Sequence, residues 1–365
     1  MKKILPFFLI LLCLSGCMAD LPDTSAGTPS PWLSPAVSDT LPPESTAGAE
    51  TLAVHFIDVG QADCALLLCA GQSLLIDGGN VADSSLVVSY LTAQGIEYLD
   101  YVVCTHAHED HVGGLSGPLH AFPVGAVYSP VTTYSTKAFE DFLSATEAQG
   151  LSLTVPVPGD TFALGNAAVT ILGPTKDYTD TNNTSIVLRV DFDEVAFLFT
   201  GDMEEPAEKD LLASGASLWA TVLKVGHHGS RTSTSYQFLR EVLPTYAVIS
   251  VGTGNSYGHP NEEVTSRLYD ADVTVYRTDL QGNIIATSDG KEVTFTTEQA
   301  QAPIPGRDTL PTAEAEASVY IGNVNSKIFH TETCPNLPAE KNQVSFQSRE
   351  EALAQGYQPC GNCKP

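Results

Sequence analysis

The feature that most constrains this 365-residue chain is a dense group of histidine and acidic residues directly after a short apolar run. The run covers residues 101–104, and His106, His108, Asp110 and His111 follow it. Such a run predicts a buried strand that delivers these side chains to a loop at the edge of a sheet. Imidazole and carboxylate groups together suit Zn(II), and also Mn(II) or Fe(II). A polar surface turn is the alternative, but this spacing before a Gly-Gly pair favours a metal site.

Short apolar runs separated by glycine-containing turns dominate the chain from residue 51 to residue 297. Three of them predict a meander of strands, at 52–60, 64–69 and 73–79. Further strands are predicted at 167–172, 185–191, 195–200, 220–225, 247–251 and 273–276, with a hairpin over 283–296. Helices are predicted at 85–93, 136–148, 204–213 and 262–269. Strands interspersed with single helices predict an α/β fold, in which two sheets carry helices on their outer faces.

The first 50 residues are expected to target and tether the chain rather than to fold. Two lysines precede an apolar run over residues 4–14, which is too short to span a bilayer comfortably. Residues 14–17 (LSGC) resemble a bacterial lipoprotein signal, which makes 1–17 the signal segment and Cys17 the lipidated residue; an ordinary secretory signal is the alternative. Residues 18–50 are rich in Pro, Ser, Thr and Ala and predict a disordered tether. We therefore expect an extracytoplasmic protein held to the membrane by lipid.

Several motifs resemble those of one enzyme superfamily. The pattern His-x-His-x-Asp-His at residues 106–111 is the signature of the metallo-β-lactamase superfamily, which implies an αββα sandwich with one or two metal ions at the sheet edges. Residues 52–297 resemble more narrowly the metallo-hydrolase domain of the competence-protein ComEC group. The matching segments, in the family's order, are 58–63 (DVGQAD), 76–79 (IDGG), 183–185 (NTS), 200–202 (TGD), 224–230 (KVGHHGS) and 257–260 (YGHP). The membrane-embedded channel of that group has no counterpart in this sequence, so we expect a hydrolase rather than a DNA transporter.

The resemblance implies two divalent metal ions, zinc or manganese, in the hydrolase site. The implied ligands are His106 and His108 for one ion, Asp110 and His111 for the other, Asp202 as the bridge, and His228 to complete the second sphere. Asp202 follows a buried apolar run, and its alternative role is that of an N-cap for the next helix. His227 is then left to contact substrate, although spacing does not decide which of the two adjacent histidines is the ligand. Catalytic roles are expected for Asp110, His227 and His259.

One part of the superfamily pattern is missing. Many members carry another histidine between the first cluster and the bridging aspartate, but the only histidine in that interval is His120, expected on a helix after Gly114. Residues 182–185 (NNTS) occupy the corresponding place. One metal site is therefore expected to be weaker, more open to water, or lined by Asn and Ser.

Other residues are expected to support the ligands or to bind substrate. The resemblance implies that Asp58, Asp63, Asp77 and Asn183 orient the metal-binding loops, with a structural turn as an equal alternative for Asp58 and for Asp63. Three polar residues are predicted to contact an anionic substrate, with a solvated surface role as the alternative for the last: Lys224, Ser230 and Arg231.

A second, smaller module is predicted at residues 318–365, after a linker at 298–317 that is rich in Gln, Pro, Ala and Glu. Its sequence contains two pairs of potential ligands, with the number and spacing typical of a tetrahedral structural zinc site: His330 with Cys334, and Cys360 with Cys363. The module resembles the zinc-binding domain of Ada-type DNA repair proteins, with His330 where that family has its first cysteine. That substitution argues against methyl transfer and leaves a binding or structural role. Disulfide bonds are the alternative, but a module with three cysteines can form only one disulfide and leaves one cysteine unpaired.

These observations predict a metal-dependent hydrolase, with a phosphodiesterase or nuclease acting on extracellular nucleic acid as the leading candidate. The phosphoester substrate would then be DNA, and no protein partner is readable. The net charge of −26 disfavours nonspecific nucleic-acid binding through a basic surface, whereas bound metal ions would add local positive charge. Two alternatives stay open: a hydrolase of cell-wall or lipid phosphoesters such as phosphorylcholine, and a non-catalytic nucleic-acid-binding lipoprotein.

Overall fold

The computed structural model describes residues 51–307, 320–332, 334–347, 349–361 and 363. The predicted signal, the predicted lipidation site Cys17, the tether and the second half of the predicted linker lie outside these residues. Among the described residues, every helix falls short of the length and apolar character that a membrane span requires.

Two large sheets form the body of the protein. The first has eight strands, in the spatial order β15 (Val293–Thr297), β14 (Ile284–Ser288), β1 (Leu52–Phe56), β2 (Ala65–Cys69), β3 (Gln72–Ile76), β4 (Leu99–Val103), β5 (Val124–Tyr128) and β6 (Leu153–Thr154). The second has seven, in the order β13 (Thr274–Arg277), β12 (Tyr246–Ile249), β11 (Val222–Lys224), β10 (Val195–Phe199), β9 (Val187–Phe192), β8 (Ala167–Gly173) and β7 (Thr161–Leu164). Strands β3 to β6 run parallel, as do β10 to β13.

Helices cover the outer faces of both sheets. Their bounds are α1 (Ser84–Ala93), α2 (Glu109–Val112), α3 (Ser116–Ala121), α4 (Lys137–Ala148), α5 (Glu205–Ala213), α6 (Tyr236–Val242), α7 (Glu262–Asp270) and α8 (Thr278–Gln281). Helix α4 illustrates how the sequence defines a helix. Its N-terminus is capped by Thr136, whose side chain accepts a hydrogen bond from the backbone N–H of Phe139. Its buried side chains recur every three or four residues and pack on the first sheet.

The core has three layers, and strand β10 shows why. Val195, Phe197 and Phe199 point into the cluster between the two sheets. Ala196 and Leu198 point the other way, into the cluster between the second sheet and its helices. Because both faces of the strand are covered, all five of its residues are apolar and buried. The predicted αββα sandwich is confirmed.

The predicted elements agree with the structure except at some ends. The strand predicted at 185–191 begins instead at Val187, because the backbone N–H of Ile186 donates to the carbonyl of Thr105. Ser185 also leaves the ladder, and its hydroxyl accepts from the backbone of Asp202 at 3.0 Å. Both residues thus join the loops that carry the predicted ligands. His120 lies on helix α3, as predicted.

The C-terminal module contains a four-stranded sheet and one helix. The strands, in spatial order, are β18 (Gln343–Phe346), β16 (Tyr320–Asn323), β17 (Ile328–Thr331) and β19 (Gln358–Pro359), and helix α9 covers Arg349–Ala354. The buried cluster of this module contains Phe329, Phe346, Ala352 and Tyr357. So small an apolar core needs additional stabilisation, which agrees with a structural metal.

Candidate metal centre

The first ligand loop follows strand β4. It passes through His106 and His108 and enters helix α2, for which His108 is the N-terminal flanking residue. A side chain at Gly114 would collide with the carbonyl of Gly78, so this part of the loop requires glycine to lie against the loop after strand β3. The Gly-Gly pair thus holds the cluster against the sheet edge, as the sequence predicts.

Four predicted ligands from both sheets converge on one point. One ligand atom each from Asp110, His111, Asp202 and His228 lies within 4.8 Å of the other three. Nε2 of His111 is 3.2 Å from Oδ1 of Asp202. Nε2 of His228 is 3.3 Å from Oδ2 of Asp110 and 3.7 Å from Oδ2 of Asp202. Two imidazoles and two carboxylates in this arrangement can hold a divalent metal ion.

The atoms that face this point lack directed hydrogen bonds. Nε2 of His111, Nε2 of His228 and Oδ1 of Asp202 are buried, and none has a hydrogen-bond partner within the described part of the chain. Buried polar atoms are costly when unpaired, so several in one place indicate a missing partner. Three lone-pair donors aimed at a common centre fit a cation.

The electrostatics of the centre also favour a cation. Burial alone lowers the pKa of His228, but Asp202 and Asp63 raise it to about 10. Burial likewise opposes the charged form of Asp202, yet His111 and His228 hold the pKa of Asp202 well below its ordinary value. The local field of the carboxylates therefore favours positive charge on whatever occupies the centre.

A second half-site lies beside the first and has fewer ligands. Nε2 of His106 is 3.1 Å from Nδ1 of His108 and 3.9 Å from Oδ2 of Asp202. Asn182 also lines the same cleft, and its buried Oδ1 has no hydrogen-bond partner among the residues that the structure describes. An unpaired amide oxygen is thus available at the cleft, where the superfamily pattern has a histidine. Asn182 belongs to the segment 182–185 that the sequence places at this position, and the weaker second metal site stays a prediction.

Asn183 binds the backbone of the loop that follows Asp202. It is buried, its Oδ1 accepts from the backbone of Glu204 at 3.2 Å, and its side-chain amide donates to Asp180. Asp58 follows the turn alternative, since its Oδ1 accepts from the backbone of Gly60 at 3.1 Å. Asn183 thus fixes the backbone two residues after Asp202, and Asp58 fixes its own turn; that both orient the metal-binding loops stays a prediction.

Two other aspartates support the ligands. Oδ2 of Asp77 is 2.9 Å from Nδ1 of His111, as predicted for this residue. Oδ1 of Asp63 is 3.2 Å from Nδ1 of His228. Lys224 is buried and donates to Oδ2 of Asp63 at 2.7 Å, so it does not face substrate as the sequence suggested. Sequence reasoning noted Asp63 in the DVGQAD motif but did not separate it from Asp58.

The adjacent His227 and His228 both adopt a left-handed backbone conformation, and both rings approach Asp202. His228 is buried among the four converging ligands. His227 is partly exposed: its Nε2 is 3.6 Å from Oδ2 of Asp202, and its Nδ1 is 3.2 Å from Glu204. The geometry therefore favours His228 as a ligand and His227 as a residue that contacts substrate.

Four of the predicted ligands line an open cleft of about 340 Å³: His108, Asp110, Asp202 and His228. His259 and the exposed Tyr257 form part of its wall, with ring centroids 5.7 Å apart. Burial, together with His227 and His228, lowers the pKa of His259 to about 4, so this ring is neutral at neutral pH. Ser230, a predicted substrate contact, is buried and bonded to Thr232, whereas Arg231 is exposed.

The C-terminal module brings its four predicted ligands together. One atom each from His330, Cys334, Cys360 and Cys363 lies within 4.8 Å of the other three. Nδ1 of His330 is 3.3 Å from Sγ of Cys334. One nitrogen and three sulfur ligands fit a closed tetrahedral zinc site.

The fold and the ligand cluster agree with a family assignment from the sequence. The chain belongs to the metallo-beta-lactamase superfamily, whose family model matches residues 57–253, more than half of the chain. Members of this group include metal-dependent hydrolases. A second family model, the metal binding domain of Ada, matches residues 310–365.

Two curated relatives give a narrower comparison. ComE operon protein 3 of Bacillus subtilis is 31% identical over 250 residues, which cover 63% of this chain and 32% of the relative. Competence protein ComA of Neisseria gonorrhoeae is 34% identical over 232 residues, covering 63% of this chain and 31% of the relative. The chain thus spans about a third of the length of these relatives. Among solved structures, YhfI from Bacillus subtilis has a TM-score of 0.47 and 15% identity, covering 66% of this chain and 100% of that chain.

Proposed function

We propose that this protein is a metal-dependent phosphodiesterase that cleaves nucleic acid outside the cytoplasmic membrane. The observation that carries the proposal is the convergence of four ligands beside the His106–His108 half-site: Asp110, His111, Asp202 and His228. All of these except His111 line an open cleft. Two adjoining half-sites that share Asp202 match the needs of phosphoester hydrolysis, in which charge develops on several oxygens at once.

Divalent ions bound at such a site lower the pKa of a coordinated water and neutralise charge on a phosphoryl group. The protein's own residues provide the geometry. Asp202 lies between the two half-sites and can serve both. Glu204 contacts Nδ1 of His227, which leaves the Nε2 atom of that ring directed toward the cleft, where it can hydrogen-bond a substrate oxygen. No serine or cysteine nucleophile is needed for this chemistry.

Two observations support nucleic acid as the substrate. One of the two relatives, 34% identical over 232 residues, is named Competence protein ComA. The C-terminal residues match the metal binding domain of Ada, and the resemblance noted above connects that domain with DNA repair. Both names belong to those proteins, and we extend the nucleic-acid connection to this chain as a proposal.

The proposed location rests on residues 1–50. The lipoprotein-like segment ending at Cys17 would place the hydrolase at the outer surface of the cytoplasmic membrane, anchored by lipid. Cys17→Ser should move the protein from the membrane fraction to the soluble extracytoplasmic fraction. A membrane fraction unchanged by the substitution would contradict the anchor.

The test of function is a substrate panel for the full-length protein purified in detergent. Single-stranded DNA, duplex DNA, RNA, bis-p-nitrophenyl phosphate and choline phosphoesters would each be supplied with Zn or Mn. We expect cleavage of the nucleic acids and of bis-p-nitrophenyl phosphate, with loss of turnover in EDTA. Turnover of choline phosphoesters alone would favour the cell-wall alternative, and absence of any turnover would favour the non-catalytic one.

Matched variants connect any activity to this site. His108→Ala and Asp110→Ala should each lower the rate at least 100-fold, since each removes a ligand or a charge at the centre. His120→Ala is the control, because His120 is exposed on helix α3 away from the ligands. Activity that survives both ligand substitutions would exclude a two-metal centre.

A further inference from the structure

Lys224 is a buried cation beside the proposed metal centre, but outside the substrate cleft. Only 4% of its surface is exposed, and its ammonium donates to Oδ2 of Asp63 at 2.7 Å and to the carbonyl of Val225 at 3.1 Å. The residues that line the cleft do not include Lys224 or Asp63. A role in binding substrate is therefore excluded by position.

Asp63 connects this lysine to a proposed ligand. Oδ1 of Asp63 lies 3.2 Å from Nδ1 of His228, and the same nitrogen lies 3.0 Å from the carbonyl of Ser250. Both of these oxygens are acceptors. Together, the carboxylate and the carbonyl keep a proton on Nδ1, so the lone pair on Nε2 faces the converging ligands.

The pair also joins the two sheets. Asp63 lies between strands β1 and β2 of the first sheet, and Lys224 ends strand β11 of the second, four residues before His228. Burying two charges is costly unless they are paired, so stability alone is a weak reason for an ion pair at this place. A small cavity of about 10 Å³, lined by Asp63, Asp77, Thr105 and Lys224 among others, lies behind the ligands. The ion pair between Asp63 and Lys224 therefore supports the ligands from the side that faces away from the cleft.

We propose that Asp63 and Lys224 are positioning residues for the metal site: Asp63 fixes the ring of His228 for metal binding, and Lys224 holds Asp63 in place. This inference rests on the proposed metal centre. It adds two residues that lie behind the ligands and set the affinity for the ion bound by His228. Among the described residues, neither Asp63 nor Lys224 contacts His106 or His108, so we expect the effect on the ion bound at His228.

The test measures metal binding without substrate, using full-length protein stripped of metal. Mn(II) and Zn(II) affinities would be obtained by competition with a chelator, and the Co(II) absorption spectrum would report the geometry around the ion. We expect Asp63→Asn to weaken the binding of one ion by about 10-fold or more, and to change the Co(II) spectrum. Lys224→Met should act in the same direction.

The double variant Asp63→Asn with Lys224→Met keeps the test decisive if Lys224→Met alone fails to fold, because it leaves no unpaired buried charge. Its affinity should be no weaker than that of Asp63→Asn, since Lys224 acts through Asp63. Asp279→Asn and Arg277→Met are the matched controls: they break a half-buried ion pair with no contact to the ligands, and should leave metal binding unchanged.

Metal affinities within twofold of the wild type in both Asp63→Asn and the double variant would overturn the inference. Weakening of both ions equally, together with a lowered melting temperature of the metal-free protein, would also overturn it, because that pattern indicates general destabilisation. A wild-type protein that binds no divalent ion in the hydrolase domain would instead refute the proposed function itself.

Discussion

Asp77 and His111 form a buried pair behind the metal centre, with Oδ2 of the carboxylate 2.9 Å from Nδ1 of the ring. Thr105 completes the arrangement, since its backbone N–H and its hydroxyl each donate to Asp77 at 2.7 Å. Burial raises the pKa of Asp77, although His111 opposes that shift. The carboxylate thereby orients a proposed ligand through the nitrogen that does not face the centre.

Replacing Asp77 tests this orientation. Asp77→Asn should lower metal affinity and the hydrolysis rate by about 10- to 100-fold, because the amide cannot supply the same charge to His111. It should also lower the free energy of unfolding by about 1–3 kcal/mol, because the new side-chain NH2 cannot accept the hydrogen bonds that Thr105 donates. Asp100→Asn is the control: Asp100 also accepts from a backbone N–H, that of Ser73, but contacts no ligand. Equal metal affinities for the two variants would contradict the role of Asp77.

Adjacent histidines provide the second prediction. His228→Ala should lower the metal content or affinity of the hydrolase domain, because His228 is buried among the converging ligands. His227→Ala should leave metal content unchanged and lower kcat, because this ring contacts Glu204 and faces the cleft. Metal analysis and steady-state kinetics on both variants separate these outcomes. The reverse pattern would exchange the two assignments.

The third prediction concerns the neighbouring residues Asn182 and Asn183. Asn182→Ala should weaken binding of the ion in the His106–His108 half-site about 10-fold, and leave the free energy of unfolding within about 0.5 kcal/mol of the wild type. Asn183→Ala should do the opposite, with a cost of about 1–3 kcal/mol in unfolding free energy, because the backbone of Glu204 loses its buried acceptor. Chelator competition and chemical denaturation measure the two quantities. Unaltered metal binding in Asn182→Ala would remove this residue from the site.

The fourth prediction concerns the C-terminal module. His330→Ala should release one zinc ion per chain and unfold the small sheet, because the buried core there is limited to a few residues. His330→Cys should retain zinc, since a thiolate is an equally suitable ligand. Zinc analysis of the full-length variants would be combined with hydrolysis assays, which should be unchanged in both. Full zinc content in His330→Ala would refute the four-ligand site.

The sequence predicted those parts of the centre that depend on local spacing. His106 to His111 follow one strand and lie within one loop, so a short pattern was enough to find them. Asp202 and His228 come from the other sheet, and only the family resemblance assigned them. The N-cap alternative for Asp202 is wrong in the structure, because Glu204 occupies the position before helix α5.

Other contacts had no local signal. Asp63 and Lys224 are 161 positions apart, and nothing in the apolar strand that ends at Lys224 indicates that its last residue is a buried cation. Whether Asn182 or Asn183 faces the cleft depends on the short 3-10 turn at Asn182–Thr184, whose direction is set by tertiary packing. Motif spacing identifies such a segment but does not orient its side chains.

The ligands of the centre come from both halves of the sandwich: Asp110 and His111 follow a strand of the first sheet, while Asp202 and His228 follow strands of the second. An ion bound by all four ligands would therefore cross-link the two sheets. Separation of the layers would then require release of the ion. The lifetime of the folded protein against proteolysis would then depend on the metal content of its surroundings.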